Sequence, residues 1–157
     1  MGFAKEPAMN ASKILVPTDF STLGQTALEM ATSLARDQGA KLLIVHVEEP
    51  PVAYGGGELY YGIEEPNREG LKRMLSEVLP SDTAVSYEHR LLVGSPATAI
   101  VFLAEKENVD MIVMPTHGRT GLLRLLMGSV AEEVVRKAKC PVLTVKSVAK
   151  RLEKAVK

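Results

Sequence analysis

One stretch of the chain combines residue types that could hold an anion. An apolar run over 110–114 predicts a buried strand, and Gly118 follows it in a polar loop. After nine intervening residues come Gly128 and Ser129, where a helical pattern begins. Glycine lets backbone N–H groups approach a phosphate closely, and the unpaired amides of a helix start favour negative charge. Ser129 would add a hydroxyl donor and Arg119 a fixed positive charge, so the stretch predicts an anion site.

The spacing of this loop resembles the phosphate loop of the universal stress protein family, in its nucleotide-binding branch. The family motif is Gly, two residues, Gly, nine residues, Gly, then Ser or Thr. Gly118, Gly128 and Ser129 match it, but Pro115 stands where the first glycine is expected. Proline fixes its own φ and has no N–H, so a backbone donor is lost there. The family's Pro-Thr-Asp signature is matched residue for residue by Pro17, Thr18 and Asp19.

The resemblance implies a ligand and the residues that hold it. The ligand would be ATP or a related adenine nucleotide, bound as a regulatory ligand, with Mg²⁺ as a candidate companion ion. Asp19 would contact the adenine side, the backbone at Val47 would bond the base edge, and the glycine loop would hold the phosphates. The implied binding residues are Pro17, Thr18, Asp19, Val47, Met114, Pro115, His117, Gly118, Arg119, Gly128, Ser129 and Val130.

Strands and helices must alternate to position these residues. Apolar runs predict strands over 13–17, 41–47, 83–93, 111–114 and 142–145. Helical patterns lie between them, the first capped by Thr22 and the others starting near Asn67, at Pro96 and after Gly128. The apolar spacing places Met30 and Val135 on buried helix faces. Alternation of this kind specifies an α/β fold with a parallel sheet of right-handed βαβ units.

The order of the strands comes from the resemblance. It implies an open five-stranded sheet, Rossmann-like and similar to the adenine nucleotide alpha hydrolase fold, in the order 3-2-1-4-5 with helices on both faces. In such sheets the ligand lies beyond the carboxyl ends of the strands, where the order reverses. That point is between strands one and four, so 17–19 and 114–118 would converge there.

Length, charge and cysteine content indicate how many domains the chain has and which classes of function they argue against. The chain has 157 residues, which favours one domain, expected over 13–146 with a flexible arm at 1–12 and a charged tail at 147–157. Lys plus Arg and Asp plus Glu are both 19, which argues against a nucleic-acid binder. A single cysteine fits a reducing compartment. No apolar run could span a bilayer and no signal segment is visible, so we expect a cytoplasmic protein with no membrane partner.

Several of these residues have simpler interpretations. Asp19 could cap a turn, and Gly128 with Ser129 could be only a helix start. His117 could be a backbone partner rather than a catalytic residue. The proline-, glycine- and tyrosine-rich segment 50–66 is either a lid over a ligand or a flexible insertion.

No catalytic apparatus is visible, which favours binding over turnover. The chain has no Gly-x-x-x-x-Gly-Lys-Ser/Thr loop, no Gly-x-Ser-x-Gly elbow and no metal-ligand cluster. One alternative is an interaction module of the same fold, its pocket closed by Pro115. Another is a slow ATPase, for which Asp19 and His117 are the candidate groups. The apolar strand Val142–Val145 would be a sheet edge, and both this position and the resemblance predict a homodimer through it.

Overall fold

The computed structural model describes residues 10–50, 67–118 and 127–146. Five strands and four helices alternate along these ranges. They are β1 (Lys13–Pro17), α1 (Thr22–Gln38), β2 (Lys41–Glu48), α2 (Arg68–Ser76), β3 (Tyr87–Val93), α3 (Pro96–Lys106), β4 (Met111–Pro115), α4 (Ser129–Lys137) and β5 (Val142–Val145). The glycine-rich segment falls almost wholly in 51–66, and the tail 147–157 follows the last described residue, so both predictions lie outside the described residues. Among the described helices, none combines the length and hydrophobicity needed to cross a bilayer.

The strands form one parallel sheet in the order β3-β2-β1-β4-β5, which confirms the predicted topology. β1 pairs with β2 along its whole length, as far as Pro17 opposite Val45. Its register with β4 covers only Ile14 and Leu15, whereas β4 stays paired with β5 as far as Pro115. The sheet is therefore split at its carboxyl edge between β1 and β4, where the strand order reverses.

Helices cover both faces of the sheet, as predicted. Successive side chains of a strand point to opposite faces, so β2 contributes Leu42 and Ile44 to one core cluster and Leu43 and Val45 to the other. The first cluster includes buried residues of α1 and the second those of α3 and α4. Strands buried on both faces are continuous apolar runs in the sequence. The predicted bounds of four of the five strands are therefore close to the observed ones.

Two details of α1 differ from the prediction. Ser21, not Thr22, is the N-cap, and its hydroxyl accepts a hydrogen bond from the Gly24 N–H at 3.2 Å. The buried stripe includes Gly24 and Leu28, and Met30 is exposed because it lies off that stripe. Val135 of α4 is exposed for the same reason.

The start of β3 was also predicted wrongly. The strand begins at Tyr87, not at Thr83, because the side chain of Asp82 organises a turn. Its Oδ1 accepts from the Ala84 N–H at 2.9 Å, and its carbonyl accepts from the Val85 N–H at 3.2 Å. A turn of this kind uses backbone donors that a longer strand would need.

The chain is held from Ala11 onward, two residues inside the predicted flexible arm. The Ala11 N–H donates to Gln38 Oε1, and Asp110 Oδ2 accepts from the Ser12 N–H, the Ser12 hydroxyl and the Lys13 N–H, each at 2.9 Å. These bonds, that from the Ser12 backbone first, hold the pKa of the Asp110 carboxyl below its ordinary value, against the opposing effect of partial burial. Asp110 thus fastens the start of β1 to the start of β4. The rest of the arm, 1–9, lies outside the described residues.

Candidate functional site

A cavity of about 510 Å³ lies at the carboxyl edge of the sheet, over the split between β1 and β4. Its walls come from the ends of β1, β2 and β4 and the first turns of α3 and α4. The residues of the sequence prediction that line it are Pro17, Thr18, Asp19, Val47, Met114, Pro115, His117, Gly118, Gly128, Ser129 and Val130. The remaining predicted residue, Arg119, lies outside the described residues. The topology thus brings together residues more than a hundred positions apart in the sequence.

The turn after β1 is fixed by contacts to β2. The Thr18 N–H donates to the Val45 carbonyl at 2.8 Å, and His46 Nδ1 donates to the Thr18 carbonyl at 2.8 Å. The Phe20 ring packs on the His46 ring with centroids 4.4 Å apart. Phe20 has a φ of +65°, a left-handed conformation that a bulky residue adopts only when its surroundings impose it. The backbone therefore turns sharply straight after Asp19.

Asp19 has both the capping role and the position at the crevice that the sequence suggested. Its Oδ1 accepts a hydrogen bond from the Ser21 N–H at 3.0 Å. Its Oδ2 faces β4: a Cβ placed on Gly118 would lie 3.3 Å from it. The two chain segments therefore approach each other closely across the split, and Gly118 leaves room for the carboxylate.

The loop after β4 folds directly against the start of α4. The Gly128 N–H donates to the Thr116 carbonyl at 2.7 Å. A Cβ on Gly128 would lie only 3.2 Å from that carbonyl oxygen, although the φ of −71° suits any residue. A side chain at position 128 would therefore crowd the Thr116 carbonyl, whereas the backbone conformation would accept one.

The N-terminus of α4 opens onto the cavity through Ser129, Val130 and Ala131. Gly128 is the N-cap, and α4 has no side-chain cap hydrogen bond. The first backbone bond of the helix runs from the Glu132 N–H to the Gly128 carbonyl at 2.9 Å. The amides before Glu132 precede the first intrahelical bond, which is the arrangement that binds anions at helix starts.

Pro115 and His117 have structural contacts. Pro115 is the last residue of β4, opposite Val145, and forms part of the cavity wall without filling the cavity. His117 Nδ1 lies 3.0 Å from the hydroxyl of Thr116, which is itself buried. The next strand bond, from the Thr116 N–H to the Val145 carbonyl at 3.0 Å, continues the β4–β5 pairing beyond the proline.

One ionisable residue that lines the cavity was not predicted from the sequence. Glu48 ends β2, lines the cavity and is 7% exposed. Neither of its carboxylate oxygens accepts a hydrogen bond from the described residues, and Arg68 Nε lies 3.5 Å from Oε2 without hydrogen-bond geometry. The available signal was an acidic residue at the end of a mainly apolar strand.

The cavity offers apolar walls, backbone donors and carboxylate acceptors. Val47, Met114 and Ile100 supply apolar surface, the start of α4 supplies donors, and Glu48 supplies acceptors. Within the described ranges, no group of three or more His, Cys, Asp or Glu residues is placed to hold a metal ion. The arrangement suits a ligand with an apolar body, hydrogen-bond donors and an anionic end.

Comparison with known proteins gives a consistent result. The sequence model of the universal stress protein family matches residues 10–146. A universal stress protein of Methanocaldococcus jannaschii is 39% identical over 140 residues, covering 85% of this chain and 81% of that protein. The crystal structure of a universal stress protein in complex with cAMP aligns with a TM-score of 0.67 and 26% identity, over 87% of this chain and 98% of that one. A universal stress protein of Archaeoglobus fulgidus in complex with dAMP aligns with a TM-score of 0.64 and 27% identity, over 85% and 97%.

Proposed function

The chain belongs to the universal stress protein family, and on that basis we propose that it binds ATP or a related adenine nucleotide as a regulatory ligand in a stress response. The observation that carries the proposal is that the residues predicted to bind the ligand meet in one place. Residues from the ends of β1, β2 and β4 and from the start of α4, chosen from the sequence, line one cavity of about 510 Å³ at the switch point of the sheet. Structural relatives in complex with cAMP and with dAMP support an adenine nucleotide as the ligand class.

The proposed orientation follows from the chemistry of the two ends of the cavity. The phosphates would lie at Gly118, Gly128 and Ser129, where backbone donors and the helix dipole favour negative charge. The base would lie at the end of β2, where the Val47 backbone offers a donor and an acceptor. Asp19 would take a ribose or base donor between them.

Mg²⁺, if it accompanies the nucleotide, would take most of its ligands from phosphate oxygens and water. Magnesium in nucleotide sites commonly keeps several waters and uses one or two carboxylates. Asp19 is the described carboxylate beside the proposed phosphate end, since Gly118 adjoins it. A bound metal would offset the repulsion between that carboxylate and a triphosphate.

The competing function is an interaction module of the same fold, which binds no nucleotide because Pro115 closes its pocket. The open cavity beside Pro115 favours nucleotide binding over this alternative. The slow-ATPase alternative would use Asp19 and His117, which both line the cavity. A regulatory ligand requires neither of them to transfer a proton.

We also propose a homodimer formed through β5, in the cytoplasm. β5 is an edge strand of the sheet, and Leu143 at its centre is exposed. An apolar edge strand has unpaired backbone groups that a second copy can satisfy.

Isothermal titration calorimetry tests the nucleotide proposal. ATP, ADP, AMP and cAMP would be titrated into the full chain, with and without Mg²⁺, beside the variant Ser129→Ala, which removes the hydroxyl donor and keeps the side chain small. We expect saturable heat with one site per chain and weaker binding by the variant. Absence of heat for all four nucleotides at millimolar concentration would refute the proposal.

A further inference from the structure

Glu48 is a buried acidic residue in the cavity wall that the proposed phosphate contacts do not use. Its side chain is 7% exposed, and neither oxygen accepts a hydrogen bond from the described residues. Its ion pair with Arg68, at 3.5 Å, supplies charge but not a hydrogen bond, and the Arg68 side chain is largely exposed. The preceding residue, Val47, is apolar, and His46 is the next residue on the same face of the strand.

A buried carboxylate in this state lacks the donors it needs. An ionised carboxylate can accept about four hydrogen bonds, and removal from water leaves those acceptors unsatisfied unless the protein or a ligand supplies donors. Glu48 is part of the cavity wall, and although both oxygens have almost no accessible surface, a turn of the side chain toward the cavity would bring them to a ligand that supplies donors. The ligand group beside Glu48 must therefore be a donor and cannot be an anion.

The position of Glu48 in the sheet identifies which part of a nucleotide it meets. β2 is separated from β4 by β1, so the ends of β2 and β4 are about 10 Å apart at the usual strand spacing. The proposed phosphate end is at β4 and α4, on the far side of that separation. Glu48 directly follows Val47, the residue proposed to bond the base edge.

We propose that Glu48 is a specificity-determining residue that accepts a hydrogen bond from the exocyclic amino group of adenine. The inference rests on the proposed function, because it assumes an adenine nucleotide with its base at the end of β2. A purine with an oxygen in place of that amino group would place two acceptors face to face and would bind less well. Glu48 would thus select adenine over hypoxanthine.

The variant Glu48→Gln tests this because glutamine is close in shape and carries both an acceptor and a donor. Its amide oxygen can bond an amino group and its NH₂ can bond an oxygen. AMP, IMP and 2′-deoxy-AMP would be titrated into the wild type, Glu48→Gln and Glu48→Met. The matched controls are Glu29→Gln, an exposed charge on α1, and Arg68→Gln, which removes the ion-pair partner of Glu48.

The expected result is a change in preference between bases. The wild type binds AMP at least about tenfold more tightly than IMP, since a hydrogen bond to a charged group is involved. Glu48→Gln loses most of that ratio by gaining affinity for IMP, Glu48→Met loses affinity for AMP, and both controls keep the wild-type ratio.

Two kinds of failure are distinguishable. A wild type that binds none of the nucleotides refutes the proposed function itself. A wild type that binds AMP, with an AMP-to-IMP ratio unchanged in Glu48→Gln, overturns the inference alone. A variant that changes only the preference between AMP and 2′-deoxy-AMP also overturns it, because Glu48 would then contact the sugar. Thermal unfolding without ligand, compared between Glu48→Gln and Arg68→Gln, separates a loss of fold from a loss of recognition.

Discussion

Gly118 and Asp19 face each other across the split in the sheet, so closely that a Cβ on Gly118 would lie 3.3 Å from Asp19 Oδ2. One residue follows β4 and the other follows β1, and they are brought together only by the reversal of strand order between these two strands. The lack of a side chain at position 118 therefore matters because the topology brings this residue against Asp19. It allows a carboxylate and a backbone loop to share one wall of the cavity.

Alanine at the two loop glycines should have unequal effects. The Cβ of Gly128→Ala meets the Thr116 carbonyl oxygen at 3.2 Å, a backbone atom that cannot move without shifting the loop. We expect this variant to lose about 1–3 kcal/mol of unfolding free energy and at least about tenfold in nucleotide affinity.

Gly118→Ala is the matched comparison, because its Cβ meets the end of the Asp19 side chain, which can rotate. We expect a loss below about 1 kcal/mol in its unfolding free energy. Urea unfolding of both variants measures the difference. Equal stability losses would contradict the packing described for Gly128.

Asp110 should contribute stability that disappears in acid. Hydrogen bonds from Ser12 and Lys13 lower the pKa of its carboxyl in the folded state. A lowered folded pKa gives stability that is present above the unfolded value, about 3.9, and is lost as pH falls through the folded pKa. We expect Asp110→Ala to lower the free energy of unfolding by about 1–2 kcal/mol at pH 7, and this difference to shrink below about pH 4.

Urea unfolding at several pH values tests the Asp110 prediction. Asp37→Ala is the control, because its ion pair with Arg36 is exposed and contributes little. Wild type and Asp110→Ala could instead differ in unfolding free energy by the same amount from pH 7 to pH 3. That result would show that the contribution of Asp110 does not depend on the charge of its carboxylate.

A charge at the centre of β5 should break the proposed dimer. Leu143 is exposed on this edge strand, and a lysine there would oppose pairing with a second copy. We expect light scattering after size-exclusion chromatography to report dimer for the wild type and monomer for Leu143→Lys. Phe102→Lys, an exposed apolar position on α3, is the control and should remain dimeric. A monomeric wild type at micromolar concentration would refute the dimer.

Replacing Pro115 by glycine tests whether this residue controls access to the cavity. Pro115 lines the wall beside an open cavity, so we expect wild type and Pro115→Gly to bind ATP with affinities within about tenfold of each other. Competition calorimetry on both proteins measures the ratio. Binding gained only by Pro115→Gly would favour the interaction module over the nucleotide-binding protein.

The sequence predicted most of the strands because each is an apolar run buried on both faces. It predicted the approximate extents of β1, β2, β4 and β5, and the resemblance supplied their order. Helix details were less accurate, because apolar spacing does not fix which neighbour faces the core; Met30 and Val135 were misplaced for this reason. Ser21 and Thr22 are both good caps by type, and only the backbone conformation decides between them.

The site residues that belong to a recognisable motif could be predicted from the sequence, and Glu48, which belongs to none, could not. The signature residues at the end of β1 and the described residues of the glycine loop line the cavity as expected. Glu48 was missed because its surroundings include α2, whose Arg68 forms an ion pair with it and whose Leu71 lines the same cavity. A non-local contact of this kind leaves no periodic signal in the sequence.

Native mass spectrometry of the full chain tests the central claim most directly. The protein would be purified without added nucleotide and then measured alone and with ATP at increasing concentration. We expect a saturating mass increase of one adenine nucleotide per chain, either carried through purification or acquired on addition. A spectrum that shows only the unliganded mass at every ATP concentration would contradict it.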